Sequence, residues 1–496
     1  MQRLVTSEQI RILESEWIKK MGSQESLNLM EKAGSALAEA AKNGKEPYLI
    51  VCGKGNNGGD GIVAARYLYL ANKKVKLFLT SDEDLLSKDA KVNLELIKDK
   101  VQYLEIKNES DNIFLKTLVE SNTVIDCLLG TGVSGKLSPL FEWIIKLINS
   151  SGKHIIACDI PTGVDPDSGN INDIVIEAKQ TITFGYQKVG LLIYPAKQYC
   201  GEIKVIDIGL PEIETNLFLL DDNFLKTNLP KRSNQSNKGS FGKTLLVSGS
   251  KQYPGAAFLA SRAASSIGSG LTCLASKQEV FNKISVEIPE VINVDFNLEA
   301  ILAESKKSTA LVIGPGLTTD LEIKSLVENL ILNVLIPIVL DADGINVLAG
   351  NKEIIQKTKT EIVLTPHPKE FSRLLGLTLD EVLKNKIELV KSNAKTLGCT
   401  IVLKGPATII GTKEGNIYIS PFSNSALAKG GTGDVLAGFI GGLIAQGLKP
   451  DLAACVGVYL HGKTAEIIAK NKTAFSLLPQ DLIDYLPQVI KTYISC

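Results

Sequence analysis

At 496 residues the chain is too long for one ordinary hydrophobic core, and about 100–200 residues per domain implies two or three domains. Apolar residues make up 44% and charged residues 22%, a globular composition that excludes a disordered chain. Lys plus Arg and Asp plus Glu number 54 each, so no net field steers the chain to nucleic acid or to an acidic membrane surface, and neither is expected as a partner.

The N-terminal MQRLVTSEQIRILESEW has no apolar core of signal-peptide length, and no segment reaches the ~18 uninterrupted apolar residues of a membrane span. The eight cysteines are scattered without a C-x-x-C pair, and several end apolar runs such as YLIVC, TVIDC and HIIAC. They read as free buried thiols in a reducing compartment, so the expected location is cytoplasmic.

In chain order, Ile10, Leu13 and Trp17 lie at helical spacing over residues 7–20, with Thr6 and Gln9 as a capping box. A second helix spans 25–42, and both helices read as packing elements only. From Tyr48 the pattern becomes strand, glycine turn and helix, repeated through YLIVC, VKLFL, TVIDC, HIIAC, TITF and IKVID. Short β-rich runs alternating with helices predict an α/β fold with a mostly parallel sheet covered on both faces. GKGNNGGDG, LLGTGVSG and DIPTGVD follow three of these strands, and ligands in open α/β sheets bind at strand carboxyl ends, so the three motifs point to one site.

Residues 53–58 match G-x-G-x-x-G, and Asp82 past the next strand stands where a Rossmann ribose acid is expected, which allows a dinucleotide-dependent oxidoreductase. Asn56, Asn57 and Asp60 crowd this turn with side-chain donors and acceptors, which suits a dinucleotide gripped as substrate. Asn57, Asp126 and Thr162 offer oxygen ligands to a hard cation, the alternative for Asp126 being a turn cap. Asp159 before Pro161 and Gly163 is a candidate general acid or base, the alternative being an Asx turn.

GKGNNGGDGIVAARYL, DCLLGTG, DIPTGVDPDSG and TFGYQKVG followed by IDIGLP together resemble the NAD(P)H-hydrate epimerase family over residues 1–215. That resemblance implies a Rossmann-like three-layer α/β domain that interconverts the epimers of hydrated NAD(P)H. It implies substrate contacts at Asn56, Asn57, Gly58, Gly59 and Asp60, at Gly130, Thr131, Gly132, Val133, Ser134, Gly135 and Lys136, and at Asp159, which is the expected catalytic residue. It also implies K+ near Asn57, Asp126 and Thr162, where the family more often has Ser at the last position.

Residues 211–243 lose the strand–helix rhythm and end in the polar KRSNQSNKGSFGK, so 216–224 is read as a linker between domains 1–215 and 225–496. The rhythm resumes in KTLLVSGS, LTCLA, ALVIGPG, IPIVLDADG, EIVLTPHPKE, TIVLKGPATII and NIYIS, with glycine, proline or acid clusters at most strand ends. No GxxxxGK[ST] P-loop is present. In NSALAKGGTGD, Gly430, Gly431 and Gly433 let the backbone turn its amides inward at a helix start, an anion site in which the carboxylate of Asp434 is an odd neighbour. The bland reading of Asp434 is an N-terminal helix residue, and that of His367, between Pro366 and Pro368, a structural histidine in a rigid turn whose neutral ring could also donate to a substrate.

A late GTGD opening a helix resembles the ribokinase-like superfamily. YPGAAFLASRAA, IGPGL, DADGIN, LTPHPKEF, LKGPAT and AKGGTGDVLAG resemble the ADP- or ATP-dependent NAD(P)H-hydrate dehydratases over residues 225–496. This implies hydrate contacts at Ala256, Gly316, His367 and Asp434. It implies nucleotide contacts at Lys404, Gly405, Pro406, Ala407 and Thr408, and at Ser425, Ala426, Leu427, Ala428, Lys429, Gly430, Gly431, Thr432 and Gly433, with Mg2+ and ADP or ATP as cofactors. Asn237 stands where relatives commonly have His. The two halves together resemble the bifunctional NAD(P)H-hydrate repair enzymes, with Asp434 expected to take the proton of a ring hydroxyl as it is phosphorylated. A homo-oligomer with small-molecule substrates is expected. The competing expectations are a small-alcohol kinase in the second half and a non-catalytic binding module in the first.

Overall fold

The computed structural model describes residues 1–132 and 135–494. It divides into two compact units, one of Arg3–Thr215 and one of Met1–Gln2 with the chain from Asn216 onward.

The first unit holds β1 (Gln2–Val5), β2 (Tyr48–Cys52), β3 (Val75–Leu79), β4 (Tyr103–Glu105), β5 (Thr123–Cys127), β6 (His154–Cys158), β7 (Gln180–Phe184), β8 (Gln187–Lys188) and β9 (Glu202–Ile206). Seven of them form a parallel sheet in the order β4-β3-β2-β5-β6-β7-β9, and β1 pairs in parallel with β8. Alternate residues of β2 serve different faces. Tyr48, Ile50 and Cys52 pack with Leu37, Ile62 and Leu68, while Leu49 and Val51 pack with Phe114, Ile144 and Ile148. Burial on both faces is why these strands read as unbroken apolar runs. The strand order reverses between β2 and β5, and the loops after β2, β5 and β6 open at that crevice.

The second unit adds β10 (Leu217–Leu219), β11 (Lys243–Val247), β12 (Leu271–Ala275), β13 (Ile292–Val294), β14 (Ala310–Ile313), β15 (Ile338–Leu340), β16 (Ile362–Leu364), β17 (Thr400–Leu403), β18 (Ile409–Gly411) and β19 (Ile417–Ile419). They run β13-β12-β11-β14-β15-β16-β17-β18-β19-β10, parallel through β17 and then antiparallel through β18 and β19. Helices Pro254–Ser266, Thr432–Ala445 and Pro450–Asn471 bury one face in a core that includes Leu246, Val312, Phe439 and Leu460. The order reverses between β11 and β14, which sets a second crevice.

The expected linker 216–224 is corrected. It forms β10 and the start of helix Asp222–Asn228, with Leu217, Leu220, Phe224 and Leu225 buried and Asp221 capping the helix through Phe224 N at 2.7 Å. A three-residue strand and a seven-residue helix are too short to show a period, which is why the segment read as irregular. The seven described cysteines are free and buried. Among the described residues no helix is long and apolar enough to cross a membrane.

The first crevice depends on close backbone approach. A Cβ on Gly58 would lie 1.8 Å from the Gly53 carbonyl oxygen, so only glycine lets the helix start fold back on the strand end. Gly58→Ala is expected to lower stability by at least about 2 kcal/mol in urea unfolding. Gly132→Ala, whose Cβ meets nothing within 4 Å, should change stability by less than about 0.5 kcal/mol.

Candidate active sites

In the first unit, Asn56 to Asp60 form the first turn of helix Asn56–Leu70. The Asn57 side-chain amide donates to Leu129 O at 3.0 Å, while its Oδ1 is buried without a protein partner. Asp126, near the end of β5, is fully buried. Its Oδ1 accepts from Leu128 N at 3.1 Å and from the Thr162 hydroxyl at 2.8 Å, and its Oδ2 accepts from Thr162 N at 2.8 Å. Burial pushes the Asp126 carboxyl up to about 6 against the pull of these hydrogen bonds. A cavity of about 20 Å³, lined by Gly130, Gly135, Thr162 and Asn172 among others, has room for one water-sized guest. Gly130 lies so close to Asn57 that a Cβ would come within 3.2 Å of its side chain. In the same loop Thr131 is half-buried, and Gly132, Gly135 and Lys136 are exposed. Val133 and Ser134 lie outside the described residues.

Asp159 follows β6 with φ +62°, a conformation that an L-residue holds only when its surroundings fix it. Its Oδ1 accepts from the Thr183 hydroxyl at 2.9 Å, from Phe184 N at 3.4 Å and from Lys188 Nζ at 2.6 Å. Sequence reasoning missed Lys188; the available signal was a single cation between TFGY and an apolar GLLI run. It also missed Glu14, assigned to a helix read as packing only. Burial raises the Glu14 carboxyl, with Lys188 opposing and Asp159 adding. Asp60 is pushed well above the usual carboxylate range by burial, then by Asp159 and Glu14. Asp82 is exposed, at the start of the turn Glu83–Leu85.

In the second unit a cavity of about 480 Å³ brings together Ala256, Gly316 and Asp434, with Tyr253, Thr318 and Asp343 also on its walls. Asp434 stands in the first turn of helix Thr432–Ala445. Its carboxyl is pushed up to about 7 by burial and by Asp341, against Lys404, with Asp343 and Glu370 adding. Lys404 Nζ lies 2.7 Å from Asp341 Oδ1 and 3.9 Å from Glu370 Oε2. Burial disfavours the Lys404 ammonium, but these carboxylates outweigh it and raise its pKa. Asp341, 1% exposed, also accepts from the Thr365 hydroxyl at 2.6 Å. The signal for Asp341 was the acid at the end of IPIVL before a Gly-containing turn. Thr318 (φ +86°) and Ala342 (φ +47°) are left-handed, and Thr318 N donates to Asp343 Oδ2 at 2.9 Å.

His367 does not line this cavity. It caps helix Pro368–Leu375, its Nδ1 accepting from Lys369 N at 3.1 Å and Glu370 N at 3.2 Å, while Nε2 lies 3.3 Å from Glu370 Oε1. Burial and then Lys404 lower its pKa, so the ring is neutral, and both nitrogens are engaged within its own turn. The expected rigid turn is therefore a helix cap: the ring acceptor satisfies backbone donors that a helix start leaves open.

The two nucleotide motifs meet. A Cβ on Gly433 would lie 3.2 Å from Lys404 Nζ, which brings the KGPAT turn against the glycine-rich helix start. In KGPAT, Gly405 and Pro406 are exposed, Ala407 is left-handed at φ +54°, and the Thr408 hydroxyl donates to Gly405 O at 3.2 Å. Ser425, Ala428 and Gly430 are exposed, Leu427 half-buried and Ala426 buried. Gly431 at φ +94° turns the chain into the helix, and the Thr432 hydroxyl donates to Leu427 O and Lys429 O, both at 2.9 Å. Buried His461, pushed down to about 4 chiefly by burial, is neutral, and its Nε2 bonds Thr432 O at 2.9 Å. The Lys429 ammonium donates to Phe475 O at 3.0 Å and to Leu477 O, so its charge is directed at that segment.

The raised carboxyl of Asp434 has a stability consequence. Folded, it holds its proton up to about pH 7; unfolded, it releases it near 3.8, so its contribution is lost as pH rises through that window. Asp434→Asn should therefore melt above the native chain at pH 8, by the equivalent of on the order of 2 kcal/mol, with the gap narrowing as pH falls and closing only below about pH 4.

Two family models match the chain, one for the YjeF-related protein N-terminus over residues 26–190 and one for NAD(P)H-hydrate dehydratase over 244–488. A bifunctional NAD(P)H-hydrate repair enzyme of Thermofilum pendens is 36% identical over 504 residues, covering 97% of this chain and 95% of the relative. Its counterpart from Moorella thermoacetica is 34% identical over 491 residues, covering 94% and 92%. The Bacillus subtilis ADP/ATP-dependent NAD(P)H-hydrate dehydratase, co-crystallised with ATP/Mg2+, superposes with a TM-score of 0.51 at 33% identity, covering 57% of this chain and 100% of that one. Similarity to the repair enzymes over nearly the whole of both sequences, with the dehydratase match confined to the half that carries Asp434 and the glycine loop, leads to one assignment: the chain belongs to the family of bifunctional NAD(P)H-hydrate repair enzymes.

Proposed function

We propose that the chain repairs hydrated NAD(P)H, the first unit interconverting the two epimers and the second dehydrating one of them with ADP or ATP. The observation that carries this reading is Asp434, a carboxyl tuned to about 7 on the wall of a cavity and one turn into a glycine-rich helix start. A base of that strength suits removal of a hydroxyl proton near neutral pH.

The hydrate bears a hydroxyl on the ring carbon next to nitrogen. Hydroxide leaves poorly, whereas phosphate leaves well. Asp434 takes the hydroxyl proton as the oxygen bonds to the terminal phosphorus of the nucleotide and the bond to the departing nucleotide breaks. The amides of residues 430–433 stabilise charge on the transferring group, and the positive helix end beneath them adds to this. The ring nitrogen lone pair then expels phosphate, and loss of a proton from the neighbouring carbon restores the dihydropyridine. Mg2+ would arrive with the nucleotide, near Asp341, Asp343 and Glu370, whose negative charges also raise the Asp434 carboxyl. When bound it neutralises phosphate charge.

In the first unit Asp159 assists departure and return of the same hydroxyl through an iminium ion, whose positive charge its carboxylate stabilises. Asn57 Oδ1, buried and unpartnered, beside the Asp126 carboxyl and the Thr162 hydroxyl, fits K+. K+ held there would supply a fixed positive charge beside the NNGGD loop.

The test incubates the full chain with both NADHX epimers and ADP or ATP, following NADH absorbance. Conversion of both epimers to NADH with release of phosphate is expected, with an acid limb near pH 7, and Asp434→Asn should slow dehydration about 10²–10⁴-fold. A stable phosphorylated product would instead assign a small-alcohol kinase. Without nucleotide, the epimer that is not dehydrated should equilibrate faster than in buffer.

A further inference from the structure

Lys188 is the one lysine among the described residues whose whole residue is buried, at 2% exposed. Taking an ammonium out of water is costly unless every proton and the charge are matched. Here they are: Nζ reaches Asp159 Oδ1 at 2.6 Å, the Thr183 hydroxyl at 3.2 Å and Phe184 O at 3.2 Å. The partner carboxylate sits on a left-handed backbone, which persists only where its surroundings over-determine it.

We propose that Lys188 is a positioning residue for epimerisation, acting through Asp159: its ammonium holds the Asp159 carboxylate fixed in the crevice formed by the loops after β2, β5 and β6. This rests on the epimerase reading of the first unit. The groups that face the pair come from each element packed on it. Glu14 comes from helix Ser7–Met21, Asp60 from helix Asn56–Leu70, and Thr183 from β7. Two of these are carboxyls, so Lys188→Met would leave Asp159 among acids without the neighbouring cation that favours an ionised carboxylate. The N-terminal arm belongs to the same device. β1 pairs with β8 in a register that sets Val5 opposite Lys188, and the Thr6–Gln9 capping box then starts the helix that carries Glu14. The opening residues of the chain thus anchor the main chain of Lys188.

The experiment uses the full chain and NADHX without nucleotide, with kcat/KM for epimerisation measured against pH. Lys188→Met keeps the aliphatic stem and removes the charge. The expected result is an about 100-fold fall near pH 7, an acid limb moved at least about one unit to higher pH, and KM changed less than about threefold. Thr183→Val, which removes the bridging hydroxyl, should move the limb the same way by less, and it carries the test if Lys188→Met unfolds. Nucleotide-dependent dehydration by the second unit should stay within about twofold of native in both variants, as a control on folding. A role confined to stability predicts a lower melting temperature with the limb unmoved, and an unmoved limb in a folded variant overturns the proposal. A native chain that does not epimerise would overturn the reading of the first unit and the proposal with it; a native chain that does, with unmoved limbs in the variants, would overturn the proposal alone.

Discussion

The chemistry of the second unit depends on where one ammonium spends its charge. Lys404 pairs with Asp341 at 2.7 Å, with Glu370 at 3.9 Å, although Gly433 brings the helix start that carries Asp434 right beside it. Had the ammonium paired with Asp434, that carboxylate would be held low and would be a feeble base. With the ammonium on Asp341, burial and then the Asp341 charge hold the Asp434 carboxyl up at about 7 at the cavity wall, against the pull of Lys404. A buried ion pair adds little net stability, so its value here lies in setting the strength of a neighbour.

The first unit solves a related problem with opposite sign. There the ammonium of Lys188 is placed directly on Asp159, while Asp60 and Glu14 are the carboxyls left raised by burial. In both units non-glycine residues in left-handed conformations stand just after parallel strands: Asp159 after β6, Thr318 after β14, Ala342 after β15 and Ala407 after β17. Such strain persists only where hydrogen bonds and packing over-determine the backbone, as Thr183, Phe184 N and Lys188 do around Asp159.

The pairing of these sites in one chain has a chemical logic. Both act on one ring hydroxyl that is a poor leaving group. On the proposed mechanism it departs and returns on either face in the first unit, whereas in the second it is phosphorylated and departs as phosphate. A repair enzyme that dehydrates one epimer alone would strand the other, and a fused epimerase removes that limit.

Much of this was legible in the residues themselves. Strands such as YLIVC and TVIDC are buried on both faces, so they appear as apolar runs, and the glycines, prolines and acids that end them are local signals for turns at a ligand crevice. The positions of Asp126 and Asp159 at strand ends and of Asp434 at a helix start needed no coordinates. The short elements β1, β8, β10 and β13 carry too few residues for a period, and the supposed linker 216–224 was misread for that reason. What only the tertiary structure decided is how charges pair across the sequence. Lys188 meets Asp159 from 29 residues away and Lys404 meets Asp341 from 63. His367 spends its ring on its own helix start, and Asp434 is left near 7. Sequence named the carboxylates, because turn chemistry is local; the fold set what each one can do, because burial and Coulomb interactions act through space.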